Sequence, residues 1–191
     1  ILANIHHPTI VHFHGVSYKD FEDRDNITIF TDYMENGSLA DILIKERKSL
    51  APPEFDNTKK QIILIGIARG MIQLQKLHII HRDLKPANVL LDENFKPFLT
   101  DFGLSKMFNM FDSKSQSIVD CVTPAYMSPE VITSAYFDCK ADVYSFGILM
   151  FEVVSGFRPY SELLRKGISN FNLKTKILNE ERPSNIVIIS I

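Results

Sequence analysis

Two short polar segments of the sequence carry side chains that are suited to chemistry. The first covers residues 81–88 (HRDLKPAN) and the second covers residues 101–103 (DFG). Together they supply two carboxylates, an ammonium group and an amide, on Asp83, Asp101, Lys85 and Asn88. Such a cluster is costly to assemble unless it holds a metal ion and a polyanion, because desolvated charges need partners. The two segments therefore indicate a site for a metal ion together with a polyanionic molecule.

Short hydrophobic strands and two long helices are predicted to position these segments. Residues 89–91 (VLL) and 98–100 (FLT) flank a turn at 92–94, a pattern that predicts a hairpin. A helix over 58–76, apolar on a broad face, leads into the first segment. Residues 141–155 are almost wholly apolar, which predicts a helix buried on all sides.

The remaining sequence is less strongly patterned. Residues 11–15 alternate in polarity and residues 27–31 form a second predicted strand, with a polar turn at 19–26 between them. Ser38 is placed to cap a helix over 39–46. Residues 104–129 show no period, and a loop of that length inside a compact domain is usually functional. Residues 163–178 are amphipathic but weakly patterned.

The composition argues against a protein that binds nucleic acid or a membrane surface through bulk charge. The 191 residues carry 21 basic and 23 acidic side chains, a formal net charge of −2. The longest apolar run, 143–154, is interrupted by two polar residues and is shorter than a bilayer span, so no membrane segment is predicted. Two cysteines, Cys121 and Cys139, are too few for a disulfide framework and favour a cytoplasmic, intracellular protein. A single disulfide between them is the less favoured alternative.

Histidines near the N-terminus raise the alternative of a metal site. His12 and His14 share one face of a predicted strand, with His6 and His7 close in sequence. No Cys, Asp or Glu at ligand spacing completes the set, so a solvated strand face is favoured.

The motifs H-R-D-L-x-x-x-N at 81–88, D-F-G at 101–103 and S-P-E at 128–130 give the chain a resemblance to the protein kinase family over nearly its whole length. The resemblance implies an α+β, protein-kinase-like fold, with residues 1–34 as a remnant of the N-lobe and hinge and residues 35–191 as a mainly helical C-lobe without its final helices. It implies a protein serine/threonine kinase that uses ATP and Mg²⁺ and acts on a protein hydroxyl. The segments 85–88 (KPAN) and 123–127 (TPAYM) resemble the serine/threonine-specific form, and 35–39, 104–106 and 142–147 resemble the tyrosine-kinase-like branch.

The resemblance also assigns roles to individual residues. Asp83 would accept the proton of the substrate hydroxyl, Lys85 would follow the transferring phosphoryl group, and Thr123 would bond both from the substrate-docking loop. Asn88 and Asp101 would hold Mg²⁺. The nucleotide positions would be Thr31 as gatekeeper, Asp32, Tyr33 and Met34 as hinge, Ser38 near the ribose and Leu90 beneath the adenine.

Further positions follow from the same resemblance. Asp142 would hold the backbone of the H-R-D motif, and His81, Phe102 and Phe13 would stack in the interior. Arg82 would pair with a phosphate on the activation segment, for which the candidates are Ser113, Ser115 and Ser117. A solvated serine-rich loop is an equally weighted alternative.

The sequence departs from the family pattern in several places. The 191 residues contain neither a glycine-rich loop nor a V-A-I-K strand, Val122 replaces a usual glycine, and residues 186–189 (IVII) are apolar and unlike the family. Truncation would also deprive Glu130 of its usual arginine partner. We therefore expect a fragment of a longer kinase that is inactive by itself. The alternative is a pseudokinase or scaffold binding module, against which the intact Asp83, Asn88 and Asp101 argue.

Overall fold

The computed structural model describes residues 5–102, 105–107 and 123–183. In this part of the chain three two-stranded antiparallel sheets accompany a mainly helical body. The strands are short and the helices carry most of the buried side chains. The α+β class predicted from the sequence is therefore confirmed.

Two of the sheets are hairpins of consecutive strands, and the third joins strands from separate parts of the chain. Strands β1 (Phe13–Lys19) and β2 (Asp25–Thr31) form the N-terminal hairpin. Strand β3 (Ile79–Ile80) pairs with β6 (Lys106–Met107), and β4 (Val89–Leu91) pairs with β5 (Pro97–Leu99). The β4–β5 hairpin is the one predicted around the turn at 92–94, and it joins the two polar segments.

Six helices are described, and four of them begin at a capping side chain. They are α1 (Leu39–Arg47), α2 (Asn57–Lys76), α3 (Pro129–Ser134), α4 (Cys139–Ser155), α5 (Ser161–Arg165) and α6 (Asn170–Leu178). Single 3₁₀ turns occupy Pro86–Asn88 and Pro124–Tyr126. The side chains of Ser38, Asp56, Asp138 and Ser169 accept hydrogen bonds from backbone N–H groups in the first turns of α1, α2, α4 and α6. The predicted helices over 39–46, 58–76 and 141–155 are confirmed to within two residues at each end.

Helix α2 packs closely on strand β5 because two glycines lie on its inner face. A Cβ atom at Gly70 would stand 2.7 Å from Leu99 Cδ1, and one at Gly66 would overlap Pro97. The spacing of four residues puts both glycines on the same side of the helix. This close approach sets the β4–β5 hairpin firmly against α2, which directs the chain into residues 81–88.

The prediction that α4 is buried on all sides is wrong for the described part of the chain. Val143, Met150 and Val154 are 54%, 44% and 54% exposed. Helix α2 and the turn at Pro124–Tyr126 cover one side of α4 and leave these three residues uncovered. Apolar composition alone predicted the burial, but burial also requires neighbouring elements on every side.

The N-terminal hairpin also differs from its prediction. The predicted turn at 19–26 is shorter in the structure, because the Asp20 carboxylate accepts hydrogen bonds from the Glu22 and Arg24 N–H groups and lets β2 begin at Asp25. In the same hairpin His14 Nε2 lies 2.6 Å from Asp32 Oδ1.

Several predictions concern features that the described residues either lack or do not include. No described helix is long and apolar enough to cross a membrane, and no group of three or more His, Cys, Asp and Glu side chains is arranged for a metal ion within the described ranges. The thiol of Cys139 is free. Predictions on Gly103, Ser113, Ser115, Ser117, Cys121, Val122 and residues 186–189 fall outside the described residues.

Candidate active site

One carboxylate of helix α4 anchors the backbone of the loop over residues 81–88. Asp142 Oδ2 accepts a hydrogen bond of 2.8 Å from the His81 N–H, and Oδ1 accepts one of 2.9 Å from the Arg82 N–H. Burial raises the pKa of Asp142, while the two N–H groups and the His81 imidazole oppose that rise. The predicted role of Asp142 as the anchor of this loop is confirmed.

A ring contact joins the two polar segments. The rings of His81 and Phe102 are 5.2 Å apart, and His81 Nε2 lies 3.0 Å from the Thr100 carbonyl oxygen. The predicted stacking of His81 on Phe102 is therefore confirmed. Phe13 lies half-buried in β1, and its place in the stack stays a prediction.

Two residues of the site have left-handed backbone conformations. Arg82 has φ of 71° and Asp101 has φ of 59°. Non-glycine residues rarely adopt such angles, and they do so mostly where the surrounding structure over-determines the backbone. Arg82 is buried with its guanidinium 5.1 Å from the ring of Phe137, and Asp101 is exposed. The backbone thus turns sharply beside each of the two carboxylates.

Three of the predicted catalytic side chains meet at one carboxylate oxygen. Asp83 Oδ2 lies 2.6 Å from Lys85 Nζ and accepts a 3.0 Å hydrogen bond from Asn88 Nδ2. Asn88 Nδ2 also donates to the Asp83 carbonyl oxygen at 2.8 Å. The contacts that the Asp83 side chain makes with described residues fall on Oδ2, which leaves Oδ1 for another group.

Thr123 reaches the same cluster from the segment before the turn at Pro124–Tyr126. Lys85 Nζ donates a hydrogen bond of 3.3 Å to Thr123 Oγ1. The structure therefore brings Asp83, Lys85, Asn88 and Thr123 together. A bond between Thr123 and Asp83 stays a prediction.

The candidate metal ligands lie at the open end of the β4–β5 hairpin. The Thr100 N–H donates a hydrogen bond of 3.1 Å to the Asn88 carbonyl oxygen. Thr100 is therefore paired with Asn88, and Asp101 is the next residue along the chain. Because the amide nitrogen of Asn88 is bonded to Asp83, its amide oxygen faces away from Asp83. One carboxylate and one amide oxygen form a donor set that suits Mg²⁺, which takes few protein ligands and completes its shell with water and phosphate oxygens.

The predicted nucleotide residues lie in two segments that contact each other. Thr31 ends β2 and is exposed, Asp32 follows it, and Tyr33 is 82% exposed whereas Met34 is buried. The Leu91 N–H donates to the Gly37 carbonyl oxygen at 2.9 Å, and Ser38 forms a bridge with Leu90. The segment after the predicted hinge therefore lies beside the strand that carries Leu90.

Ser38 has a structural task in addition to its predicted place near the ribose. Its hydroxyl donates to Asp41 Oδ2 at 2.6 Å and accepts from the Asp41 N–H at 3.2 Å. The bond from the Asp41 N–H and a 3.1 Å bond from the Ser38 N–H to Asp41 Oδ2 form a capping box at the start of α1. The bonds from Ser38 lower the pKa of Asp41. The hydroxyl proton of Ser38 is thus already committed to Asp41.

A buried network beside residues 123–127, the predicted docking loop, was not predicted. Glu152 of α4 is 4% exposed; it accepts a hydrogen bond from the Tyr126 hydroxyl and lies 3.2 Å from Arg47 Nη1. Burial, together with the Glu152 charge, raises the pKa of Tyr126. The one signal in the sequence was a glutamate inside an apolar helix, which must find a partner when it is buried.

Comparison with known proteins agrees with this geometry. Residues 1–187 match the protein kinase domain. Ribosomal protein S6 kinase 2 alpha of Xenopus laevis is 36% identical over 177 residues, which cover 93% of this chain and 22% of that protein. Cysteine-rich receptor-like protein kinase 7 of Arabidopsis thaliana is 37% identical over 159 residues, covering 82% of this chain and 23% of that protein.

A third relative is also named as a protein kinase. The G-type lectin S-receptor-like serine/threonine-protein kinase SD1-1 of Arabidopsis thaliana is 37% identical over 159 residues, covering 82% of this chain and 19% of that protein. The chain therefore spans less than a quarter of the length of these three relatives. The match to residues 1–187, the α+β architecture and the cluster around Asp83 lead to one conclusion: the chain belongs to the protein kinase family.

Proposed function

We propose that this chain carries catalytic residues of an ATP-dependent protein serine/threonine kinase. Such a kinase transfers the γ-phosphate of ATP to a hydroxyl of a protein substrate. The observation that carries the proposal is the cluster in which Lys85 and Asn88 both contact Oδ2 of Asp83 while Asp142 holds the loop beneath it. Membership of the protein kinase family and the names of the relatives, which include serine/threonine-protein kinases, support it.

Asp83 is the proposed acceptor of the substrate proton. Its Oδ2 is engaged by Lys85 and Asn88, so Oδ1 is the oxygen that receives the proton as the hydroxyl attacks phosphorus. The two donors keep the carboxylate oriented and hold the side chain in one rotamer. Positioning of this kind is the main contribution a protein makes to phosphoryl transfer.

Lys85 is the proposed electrostatic partner of the transferring group. Its ammonium lies between Asp83 and Thr123, so it can neutralise negative charge close to the substrate hydroxyl. Thr123 fixes this ammonium at 3.3 Å, and the resemblance of residues 85–88 and 123–127 to the serine/threonine-specific form favours a serine or threonine hydroxyl as the acceptor.

Asn88 and Asp101 are the proposed ligands of Mg²⁺. When bound, Mg²⁺ neutralises the charge of the phosphates. Thr31, Asp32, Tyr33, Met34, Ser38 and Leu90 are the proposed residues around the adenosine. Asp83 is not assigned to the metal, because both contacts on its side chain are to neighbouring protein donors.

The experiment is a transfer assay on a matched pair of proteins. Since the 191 residues contain no glycine-rich loop, the assay uses a chimera in which the loop and strand lysine of an active protein kinase precede this chain. The chimera should phosphorylate serine and threonine peptides with ATP and Mg²⁺, and Asp83→Asn should lower the rate by about 10²- to 10⁴-fold, the usual contribution of a general base.

Two controls make the result decisive. The Asp83→Asn chimera should still bind ATP, because Asp83 is assigned to the hydroxyl and not to the nucleotide. If the chimera with Asp83 intact folds and binds ATP but transfers no phosphate, the kinase proposal is refuted and a scaffold function is supported. Phosphorylation of tyrosine peptides in preference to serine and threonine peptides would refute the specificity.

A further inference from the structure

His7 and Thr9 form a hydrogen-bonded turn that the proposed function does not use. The Thr9 N–H donates to His7 Nδ1 at 3.3 Å, and the Thr9 hydroxyl oxygen lies 3.1 Å from the same nitrogen. A backbone N–H can only donate, so Nδ1 is the acceptor and the proton of the neutral imidazole lies on Nε2. The bond from the Thr9 N–H therefore exists only while His7 is neutral.

Thr9 connects this turn to strand β5 and helix α2. The Thr9 carbonyl oxygen accepts a 2.9 Å hydrogen bond from the Leu99 N–H, and the Val11 N–H donates one of 2.9 Å to the Leu99 carbonyl oxygen. Thr9 is 7% exposed, and a Cβ atom at Gly70 of α2 would stand 3.1 Å from its hydroxyl oxygen. This segment thus attaches the chain that enters β1 to the strand that leads to Asp101.

Three cations act on His7 from the elements packed against its segment. Arg69 and Lys76 lie seven positions apart on one face of α2, and Lys96 immediately precedes β5. His7 itself is half-buried. Burial and the charges of Lys76, Arg69 and Lys96, in that order, lower the pKa of His7.

The segment of His7 adds one further titratable ring. His6 is exposed, and its ring centroid lies 5.5 Å from that of His12, which places it towards the N-terminal hairpin. Residues 1–4 (ILAN) carry no ionisable side chain. A proton on His7 therefore adds a positive charge to a place that the cations of α2 and Lys96 already make positive.

We infer that His7 and Thr9 form a pH-sensitive latch, which fastens residues 9–11 to β5 while His7 is neutral and releases them when the imidazole takes up a proton. A proton on Nδ1 displaces the Thr9 N–H and leaves this buried donor without its acceptor, which is costly. The Thr9 hydroxyl can turn and accept from the new Nδ1–H, so the backbone N–H is the group that loses its partner. Histidine is the side chain whose ordinary pKa suits such a switch near neutral pH.

The first test observes the imidazole of His7 directly by nuclear magnetic resonance in the 191-residue chain. The nitrogen chemical shifts of the neutral ring should place the proton on Nε2, because Nδ1 accepts from Thr9. The midpoint of the titration should lie below the ordinary value of 6.5. A neutral ring with its proton on Nδ1, or a midpoint above 6.5, would overturn the inference.

The second test compares the wild type with His7→Asn, whose amide oxygen can replace Nδ1 as the acceptor but does not titrate. Because the pKa of His7 is lowered in the folded chain, its stabilising contribution is complete above the ordinary value of 6.5 and is lost as pH falls through the lower folded value. The other histidines titrate in both proteins, so the difference between the two isolates His7.

Urea unfolding gives that difference. The gap in unfolding free energy should be constant above pH 6.5 and should turn against the wild type below it. The change should amount to at most about tenfold in the unfolding equilibrium per pH unit, the limit for a single proton. A gap that is the same on both sides of pH 6.5 would refute the latch.

The third test uses hydrogen exchange to separate the latch from a general loss of stability. The Val11 and Leu99 amides report on the attachment, since both bond across it. Below pH 6.5 they should exchange several-fold faster in the wild type than in His7→Asn at the same pH, where the intrinsic exchange rates are equal.

Low concentrations of urea identify the opening that permits this exchange. Release of the latch exposes little surface, so the rates at Val11 and Leu99 should hardly depend on urea below the unfolding transition. Equal rates in the wild type and His7→Asn would show that His7 does not control the attachment. A urea dependence as steep as that of global unfolding would show that His7 acts on the whole fold and would also overturn the inference.

Discussion

Asp142 fixes the backbone of Arg82 in a left-handed conformation. Its Oδ1 accepts a hydrogen bond of 2.9 Å from the Arg82 N–H, and Arg82 has φ of 71°. A non-glycine residue holds such an angle only when its surroundings impose it. The carboxylate in α4 therefore does more than satisfy two N–H groups: it determines the direction in which the chain reaches Asp83.

Asp142→Ala should destabilise the fold. The variant leaves the buried N–H groups of His81 and Arg82 without acceptors, and each orphaned group costs about 1–3 kcal/mol. The free energy of unfolding, measured with urea, should fall by about 2–6 kcal/mol, and transfer by the chimera should be lost with it. Asp142→Asn keeps one acceptor oxygen, so its free energy of unfolding should lie between those of the wild type and Asp142→Ala. An unchanged melting temperature in Asp142→Ala would contradict the anchoring role.

Tyr126→Phe should weaken the contact between the turn at Pro124–Tyr126 and α4. The change leaves the buried Glu152 carboxylate without its hydroxyl donor, at a cost of about 1–3 kcal/mol at neutral pH. Because burial and Glu152 raise the pKa of Tyr126, its stabilising contribution is complete below the ordinary value of 10.0 and is lost as pH rises through the higher folded value.

The measurement is the difference in unfolding free energy between wild type and Tyr126→Phe across the alkaline range. Tyr144 and Tyr160 also have raised pKa values, so both proteins lose stability above pH 10 and only the difference isolates Tyr126. That difference should be constant below pH 10 and should shrink above it. A difference that grows with pH would refute the assignment.

The sequence predicted the local features of the site well. Caps, apolar periods and turn residues act over a few positions, so α1, α2 and the β4–β5 hairpin could be placed. The spacing of Asp83, Lys85 and Asn88 in one loop predicted their proximity.

Features that depend on distant partners could not be placed in the same way. Tyr126 and Arg47 are 26 and 105 positions from Glu152, and nothing in the local sequence pairs them. The exposure of Val143 on α4 was missed for a related reason. The apolar composition of a helix shows which side chains favour burial, but it does not show which neighbouring elements cover them. Both misses concern tertiary packing and not local propensity.

Two glycine substitutions in helices should have opposite effects. In Gly70→Ala the new Cβ would stand 2.7 Å from Leu99 Cδ1 and 3.1 Å from Thr9 Oγ1, so the buried Leu99 side chain or α2 itself must shift, at a cost of about 1–3 kcal/mol. In Gly147→Ala on α4 the new Cβ meets nothing within 4 Å, and the gain in helix propensity should stabilise by up to about 1 kcal/mol. Thermal unfolding of both variants tests the packing directly. Stabilisation by Gly70→Ala would show that α2 and β5 are not in close contact.

Ser38→Ala should separate the capping role of this residue from its proposed role near the ribose. Loss of the cap should cost about 1 kcal/mol at neutral pH, while Ser38→Asn, which preserves a cap, should cost less. The Ser38 bonds lower the pKa of Asp41, so their contribution is present above the ordinary value of 3.8 and is lost as pH falls through the lowered folded value. The stability gap between wild type and Ser38→Ala, followed by urea unfolding, should therefore narrow as the solution becomes more acid than pH 3.8.

Nucleotide affinity of the same variants in the chimera completes the argument. The Ser38 hydroxyl proton already bonds Asp41 Oδ2 at 2.6 Å, so a ribose hydroxyl must donate to Ser38 and cannot accept from it. If Ser38 contacts the ribose, Ser38→Ala should bind ATP a few-fold more weakly than the chimera with Ser38, the effect of one neutral hydrogen bond. Equal affinities for ATP would leave Ser38 with the cap as its whole task and would remove it from the nucleotide site.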